Sequence, residues 1–172
     1  MGRPVVRAPR RARAVGSAGD TFTYDIAGNL RHVELADGRV IDYAIDPSHR
    51  RIGKSIDGVL VEGYLYKDRL NPLAQLDATG AIVARFVYGT RPHVPDLVLR
   101  GGVVYRYVHD VRGSPRFVLD TRDGSIAQEL QYDAFGRVVL DTNPGFQPFG
   151  FAGGLYDPDT GLAYMGTGNP AP

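Results

Sequence analysis

The chain has 172 residues, 22 of them glycine and 12 proline, and its 20 basic side chains nearly balance 19 acidic ones. Its longest stretch free of both breakers is the eleven residues Ser125–Phe135; one average helix alone takes about 11–12 residues, so an all-α protein and a coiled coil are excluded. The lack of cysteine excludes a disulfide framework and any cysteine-based metal or redox site.

Residues 1–20 hold five arginines (Arg3, Arg7, Arg10, Arg11 and Arg13) against one acid, Asp20, among Gly, Ala and Pro. They read as a disordered Arg-rich leader. Their apolar content falls short of the roughly 7–15-residue core of a signal peptide. No run in the chain approaches the ~20 apolar residues of a membrane span. The other 152 residues carry 15 basic and 18 acidic groups, so the folded part has no basic excess and nucleic acid is not an expected partner.

From Thr21 the sequence repeats. Phe22-Thr-Tyr-Asp-Ile-Ala-Gly-Asn-Leu-Arg31 is echoed 21 residues later by Tyr43-Ala-Ile-Asp-Pro-Ser-His-Arg-Arg-Ile52, and Tyr64-Leu-Tyr-Lys-Asp68 stands 21 residues further on. Later copies start at Tyr105-Arg-Tyr-Val-His-Asp110 and Leu130-Gln-Tyr-Asp-Ala-Phe-Gly-Arg137. The turns Asp37-Gly38, Asp57-Gly58, Asp77-Ala-Thr-Gly80 and Asp123-Gly124 fall between them. A period of about 20 residues indicates stacked units, each too small to hide its own apolar face. Asp-Gly between alternating runs signals a hairpin, because both central positions of a type I′ turn need positive φ. Each unit is therefore two strands and a turn.

Alternation supports this. Ile41, Tyr43 and Ile45 share a face in Arg39–Ile45, opposite Asp42. In Ala81–Tyr88, Ile82, Ala84, Phe86 and Tyr88 alternate with Val83, Arg85 and Val87, which predicts that both faces are partly covered. Ser125–Tyr132 reads as a half-buried strand with Ile126, Gln128, Leu130 and Tyr132 on one face and Ala127, Glu129 and Gln131 on the other. The predicted fold is all-β: consecutive antiparallel hairpins in a curved open sheet, with a turn-rich C-terminal plug.

The recurring Tyr-Asp step suits a structural role. The ring supplies packing area and its hydroxyl can reach water or a backbone carbonyl. An Asp three residues before a Gly, as in Asp25/Gly28 and Asp133/Gly136, suits a turn whose carboxylate accepts backbone N–H groups. Asn29 and Arg137, beside those glycines, are placed to pair with a neighbouring repeat. His49 stands where other repeats have the turn glycine.

These motifs resemble a known family. The Tyr-Asp-x-x-Gly-Asn/Arg units are similar to the YD repeats of bacterial Rhs and related toxin proteins and of the animal teneurins. Tyr107-Val-His-Asp-Val-Arg-Gly-Ser-Pro-Arg116, Tyr132-Asp-Ala-Phe-Gly-Arg137, Gln147-Pro-Phe-Gly-Phe-Ala-Gly153 and Tyr156-Asp-Pro-Asp-Thr-Gly-Leu-Ala-Tyr164 follow one another as in the Rhs repeat-associated core. The resemblance covers residues 21–166. It divides the chain into a leader (1–20), YD-repeat hairpins (21–104), a core segment (105–166) and an irregular tail (167–172). It implies a fragment of a large β-shell wound from many repeats, which encapsulates and delivers a C-terminal toxin while the core plugs one end. The implied partners are upstream YD repeats and a toxin domain of a longer, exported or cell-surface-associated parent. Many members continue through a second Tyr-Asp-Pro motif into a final Asp-Pro region that acts as an aspartyl autoprotease. Here Thr167-Gly-Asn-Pro-Ala-Pro172 stands instead, the expected mark of a truncated or frameshifted longer gene.

The resemblance makes Tyr24, Asp25, Gly28, Asp46, Tyr66, His109, Asp110, Gly113, Tyr132, Asp133, Gly136 and Arg137 repeat-defining, and Phe149, Gly150, Phe151, Tyr156, Asp157, Pro158, Gly161 and Leu162 the body of the plug. No catalytic, cofactor or metal site is expected. Asp157 and Asp159 are close enough in sequence to suggest residual aspartyl self-cleavage, yet Pro158 and Gly161 make a turn the better reading. His109-Asp110 resembles a base and its orienting acid, but neighbouring strand residues face opposite ways. The other histidines, His32, His49 and His93, show no zinc-ligand spacing. Asp77-Ala-Thr-Gly and Asp120-Thr-Arg-Asp-Gly124 lack the ligand series of a calcium loop, and neither Arg100-Gly-Gly-Val nor Phe151-Ala-Gly-Gly-Leu155 has the Lys-Ser/Thr of a phosphate loop. Phe135, Phe146, Phe149, Phe151 and Tyr156 read as a buried hydrophobic plug. The alternative is a platform for surface glycans, with Gln147 and Asp157 as its polar partners.

Overall fold

The computed structural model describes residues 11–12, 19–166 and 170–171. Thirteen strands form one sheet: β1 (Arg11–Ala12), β2 (Thr21–Tyr24), β3 (Leu30–Glu34), β4 (Val40–Ile45), β5 (Arg51–Ile56), β6 (Val59–Tyr66), β7 (Pro72–Leu76), β8 (Ile82–Val87), β9 (Leu97–Arg100), β10 (Val103–His109), β11 (Pro115–Asp120), β12 (Ile126–Tyr132) and β13 (Val138–Asp141). Each is hydrogen-bonded to the next in sequence, so the sheet is a single antiparallel meander. A second sheet contains β14 (Leu155–Asp157), β15 (Leu162–Tyr164) and β16 (Pro170–Ala171). One short 3-10 turn, Phe151–Gly153, is the helical content of the described residues. The expected all-β architecture is the observed one. β1 lies inside the segment read as a leader and pairs with Phe22–Thr23; residues 1–10 and 13–18, like 167–169 and 172 of the tail, lie outside the described residues.

Successive turns alternate between the two ends of the strands. At one rim, five-residue Asp-x-x-Gly-type turns follow β2, β4, β10 and β12. At the other, the type I′ geometry expected of Asp-Gly occurs at Asp57-Gly58, where φ is +51 and +78. Asp37-Gly38 differs. Only Gly38 has positive φ, and the turn closes through Leu35 N–H to the Arg39 carbonyl at 2.9 Å. The reason is local: a non-glycine residue resists positive φ, and Asp37 spends its carboxylate on the Arg39 N–H at 3.0 Å.

One face of the sheet is inward. On β4, Ile41 and Tyr43 are buried while Asp42 and Ala44 are exposed. On β8, Ala84 and Phe86 are buried but Arg85 and Val87 are exposed, so the expected cover on both faces is found on one. On β12, Gln128 and Leu130 face inward as read, whereas Ile126 is 58% exposed, beyond a register shift between Val118 and Leu119 on β11. The buried Gln128 Nε2 donates to Asp141 Oδ1 at 2.8 Å and to the Asn143 carbonyl at 3.0 Å, while its Oε1 meets no hydrogen-bond donor among the described residues.

The inward face carries two apolar clusters. Phe22, Leu30, Val33, Ile41 and Tyr43 of the early strands enclose Leu162. Tyr64, Phe86, Val98, Tyr107 and Val118 of the later strands enclose Phe149, Leu155 and Tyr164. The C-terminal segment therefore touches the same sheet face at strands from β2 to β11, and the sheet curves around it.

Candidate functional site

The repeat turns share one construction. Asp25 Oδ1 accepts the N–H groups of Ala27 and Asn29, both at 3.0 Å. Asp46 does so for Ser48 and Arg50 at 2.9 and 3.0 Å, Asp110 for Arg112 and Ser114 at 2.9 and 3.0 Å, and Asp133 for Phe135 and Arg137 at 2.8 and 2.9 Å. Burial alone would raise the Asp25 carboxyl, but hydrogen bonds from Asn29 and Ala27 outweigh it and hold the group below its ordinary value. Gly28, Gly113 and Gly136 supply φ of +87, +90 and +86, and His49 takes the same left-handed place at +63.

Neighbouring repeats are stitched together by side chains. Tyr66, Tyr88 and Tyr132 hydroxyls donate to the carbonyls of Arg51, Pro72 and Pro115 in the preceding unit, at 2.8, 2.8 and 3.1 Å. Asn29 Nδ2 meets His49 Nδ1 at 3.0 Å. Arg50 donates to the Asp68 carbonyl at 3.1 Å and Arg91 to that of Asp110 at 3.1 Å. His109 and Asp110 do not form a pair. Asp110 is committed to its turn amides, and His109 lies against the Tyr107 ring at 5.4 Å between centroids. Burial, followed by the nearby Arg91 charge, pushes its imidazole down to about 4.

The plug, residues 144–166, is built around Phe149. Its ring meets Phe86 edge-on at 4.8 Å and Tyr107 at 6.1 Å, and Gln147 closes on the Phe149 backbone through bonds of 2.7 and 2.8 Å. Phe146 packs edge-on against Tyr105 at 4.9 Å, and Phe151 against Tyr132 at 6.1 Å. A Cβ at Gly136 would lie 2.6 Å from the Phe151 ring, so this turn glycine is a contact surface for the plug, and one at Gly150 would lie 2.8 Å from Tyr156 within the plug itself. The buried Ser114 hydroxyl accepts the Ala152 N–H at 3.0 Å. Phe135 departs from the expected cluster: it is 77% exposed at its turn, because the Asp133 cap points it outward.

At its far end the plug sits on charge. Asp157, Pro158, Asp159, Thr160 and Gly161 make the turn between β14 and β15, with Gly161 at φ +70 and the Asp159 N–H bonded to Asp157 Oδ1 at 2.9 Å. Lys54 Nζ, buried on β5, donates to Asp157 Oδ1 at 2.7 Å and to Asp159 Oδ2 at 2.6 Å. Tyr43 OH donates to the other Asp157 oxygen, Arg39 pairs with Asp159, and buried Arg51 lies 4.0 Å from Asp157. The Arg51 guanidinium stacks on the Tyr43 ring at 4.0 Å and the Tyr164 ring at 5.1 Å. Burial would raise Asp159, yet hydrogen bonds from Lys54 and then Arg39 hold it below its ordinary value. The two carboxylates are thus bridged by an ammonium, a geometry for holding a turn rather than for sharing one proton.

Sequence reasoning did not find Arg39, Tyr43, Arg51 and Lys54 as a site. The available signal was register: Lys54 stands opposite Tyr43, so a cation had to share the face of a buried ring. Gln147 and Asp157, the expected polar partners for a glycan, direct their polar atoms into the plug and its seat. Among the described residues no three His, Asp or Glu side chains converge as metal ligands, and no helix is long and apolar enough to cross a membrane.

A one-sheet meander of Tyr-Asp hairpins wrapped on a turn-rich plug defines a YD-repeat shell structure. The family described as the teneurin YD-shell matches residues 12–170, and the chain belongs to it. It is 30% identical to Teneurin-4 of Mus musculus over 153 residues, covering 86% of this chain and 6% of that protein. It is 27% identical over 150 residues to the tRNA3(Ser)-specific nuclease WapA of Bacillus spizizenii, covering 84% of this chain and 6% of that protein. The crystal structure of TcdB2-TccC3 shares the fold, with a TM-score of 0.59 and 20% identity over 87% of this chain and 8% of that one. The chain spans about 6% of the length of these curated relatives. Its role in this family is that of shell structure.

Proposed function

We propose that the chain is a length of shell wall with its plug, in a longer protein whose shell encloses and delivers a C-terminal toxin, and that it performs no reaction itself. The observation that carries this reading is the open meander. Among the described residues every strand pairs only with its sequence neighbours, β13 has no further partner, and the plug packs on one face of the sheet between β2 and β11. Such a sheet is a wall that further repeats would extend. Repetition of the same Asp-capped turn supports a scaffold role for those carboxylates, as does the Lys54 ammonium that bridges Asp157 and Asp159.

The test uses an antibody raised against the 125–141 hairpin on extracts of the native cells. The expected antigen is a polypeptide far larger than 18.7 kDa that purifies as a hollow particle. A lone chain of that small mass would overturn the reading. Intact-mass measurement of the purified chain over days is expected to give one unchanged species, and internal cleavage products would remove the claim that it performs no reaction.

A further inference from the structure

The outer face of the sheet, opposite the plug, changes character along the meander. An antiparallel sheet with one buried face ordinarily turns polar side chains to water on the other. β3 and β4 follow that rule. Alternation places His32, Glu34 and Asp42 outward, where His32 pairs with Asp42 at 2.8 Å and with Glu34 at 3.6 Å. β8 to β11 break it. Ala84, Phe86, Val98, Tyr107 and Val118 face the plug, so their neighbours along each strand face out. Arg85, Leu99 and Val104 stand opposite one another on β8, β9 and β10, and Ala74 and Leu65 continue that row onto β7 and β6. Val87, Leu97, Arg106 and Leu119 form a second row from β8 to β11. Leu65, Val87 and Leu99 are 47%, 43% and 38% exposed, so the rows are open to water.

The charges on this part of the face have one sign. Strands β6 to β11 contain two acids, Glu62 and Asp120, and both belong to the inner face. Glu62 accepts the buried Tyr64 hydroxyl at 2.9 Å, and buried Asp120 stands opposite Tyr105, whose ring packs on the plug. Arg85 and Arg106 are exposed in mid-strand, and neither takes part in an ion pair among the described residues. Two strand steps across and two residues along separate them by about 12 Å, with Leu97 and Leu99 of β9 between.

Chemistry narrows what can cover such a face. A strand is added only at an open sheet edge, and β8, β9 and β10 are paired on both sides, so an occupant must satisfy its own backbone. A second copy laid on the same strands would bring arginine onto arginine with no acid between them. The leader, with its five arginines, has the wrong sign as well. A helix satisfies its own backbone, and seven or eight of its residues span about 11–12 Å, the separation of the two cations. We propose that the outer face of β8–β10 docks an amphipathic helix of a separate protein, with aliphatic residues on Leu97 and Leu99 and acids seven or eight positions apart reaching Arg85 and Arg106. The face is turned away from the plug, so a partner reaches it from outside. Such docking goes beyond the shell-wall reading, because the outer face can be used whatever the inner face encloses.

Fluorescence anisotropy provides the test, with the full chain titrated into a labelled synthetic helix of about 18 residues. One peptide carries a leucine face flanked by two glutamates one heptad apart, and its twin has lysines at those two places. The acidic peptide is expected to bind at least about tenfold tighter in about 50 mM salt, with the preference shrinking near 500 mM. The variant Arg85→Glu, Arg106→Glu should reverse the preference, an outcome that misfolding cannot produce. Leu99→Asn, with its melting temperature retained, should weaken both peptides by at least about tenfold. Equal affinity for the two peptides, or none for either, would overturn the proposal. So would a dimer in sedimentation velocity that Leu99→Asn abolishes, because a second copy would then hold the face. Binding to phosphatidylserine vesicles that the double arginine variant abolishes would make the face a lipid surface and overturn it too. The large polypeptide captured by the 125–141 antibody should bind the acidic peptide as the isolated chain does. Failure there would place a segment of the same polypeptide on the face and overturn the separate partner. A lone small chain in those extracts would remove the shell wall but leave the peptide titrations of the isolated chain decisive.

Discussion

The meander and the plug rest on contacts of different range. In the sheet each strand pairs with its sequence neighbour, each repeat turn is capped by an Asp two to four residues away, and tyrosine hydroxyls reach back 15 to 17 residues. In the plug the decisive contacts join Asp157 to Lys54 and Tyr43, 103 and 114 residues apart. The sheet's stability is a sum of similar small parts, as in other repeat proteins, so losing one is tolerable. The plug depends on a few contacts that have no duplicates.

Substitution should expose that difference. Lys54→Met leaves the Asp157 carboxylate buried without its ammonium and is expected to lose about 3–5 kcal/mol, read as a lower urea midpoint, with amide exchange in β14 and β15 accelerating before that of β8–β11. A loss below about 1 kcal/mol would mean that Arg51 and Tyr43 suffice as the seat. Phe149→Ala removes the ring between Phe86 and Tyr107 and should lose about 3 kcal/mol, checked by the same denaturation series.

Two glycines separate the regions at constant backbone geometry. Gly28 and Gly136 have φ of +87 and +86, but a Cβ at Gly28 meets nothing within 4 Å whereas one at Gly136 meets Phe151 at 2.6 Å. Gly28→Ala is expected to cost about 1 kcal/mol from backbone strain alone. Gly136→Ala should cost about 1–2 kcal/mol more because the plug must shift. Equal melting-temperature shifts would show that Phe151 yields freely.

The pH dependence of stability separates the two regions as well. His109 in the sheet has a folded pKa of about 4 against 6.5 unfolded. The unfolded chain therefore takes up a proton first, and stability falls as pH drops from about 6.5 to about 4. Asp159 in the seat is lowered below 3.8, so its contribution holds above that value and is lost only as pH falls further, through its folded pKa. Stability measured from pH 8 to 3 should show the first loss disappear in His109→Gln and the second shrink in Lys54→Met, where Arg39 still pairs with Asp159.

How far each region could be read before folding follows from the same difference in range. Asp25, Gly28, Asp133 and Gly136 announce their turns because cap, donor and positive φ lie within five residues. The inward side of β4 follows from alternation alone, as does that of β12 from buried Gln128 onward, but not at exposed Ile126. Type I′ geometry is absent at Asp37-Gly38 and Asp123-Gly124 because the dipeptide does not encode whether the Asp side chain will cap the turn, as it does in both. Phe135 stands near the plug phenylalanines in sequence, but its turn directs it to solvent.

The amino-acid order by itself determined the meander, its period, its turn positions and the family, because each depends on interactions between residues that are close in the chain. Only the tertiary structure decided where the plug sits and that Lys54 bridges Asp157 and Asp159. Those features arise when curvature and strand alternation bring together residues that no local pattern connects.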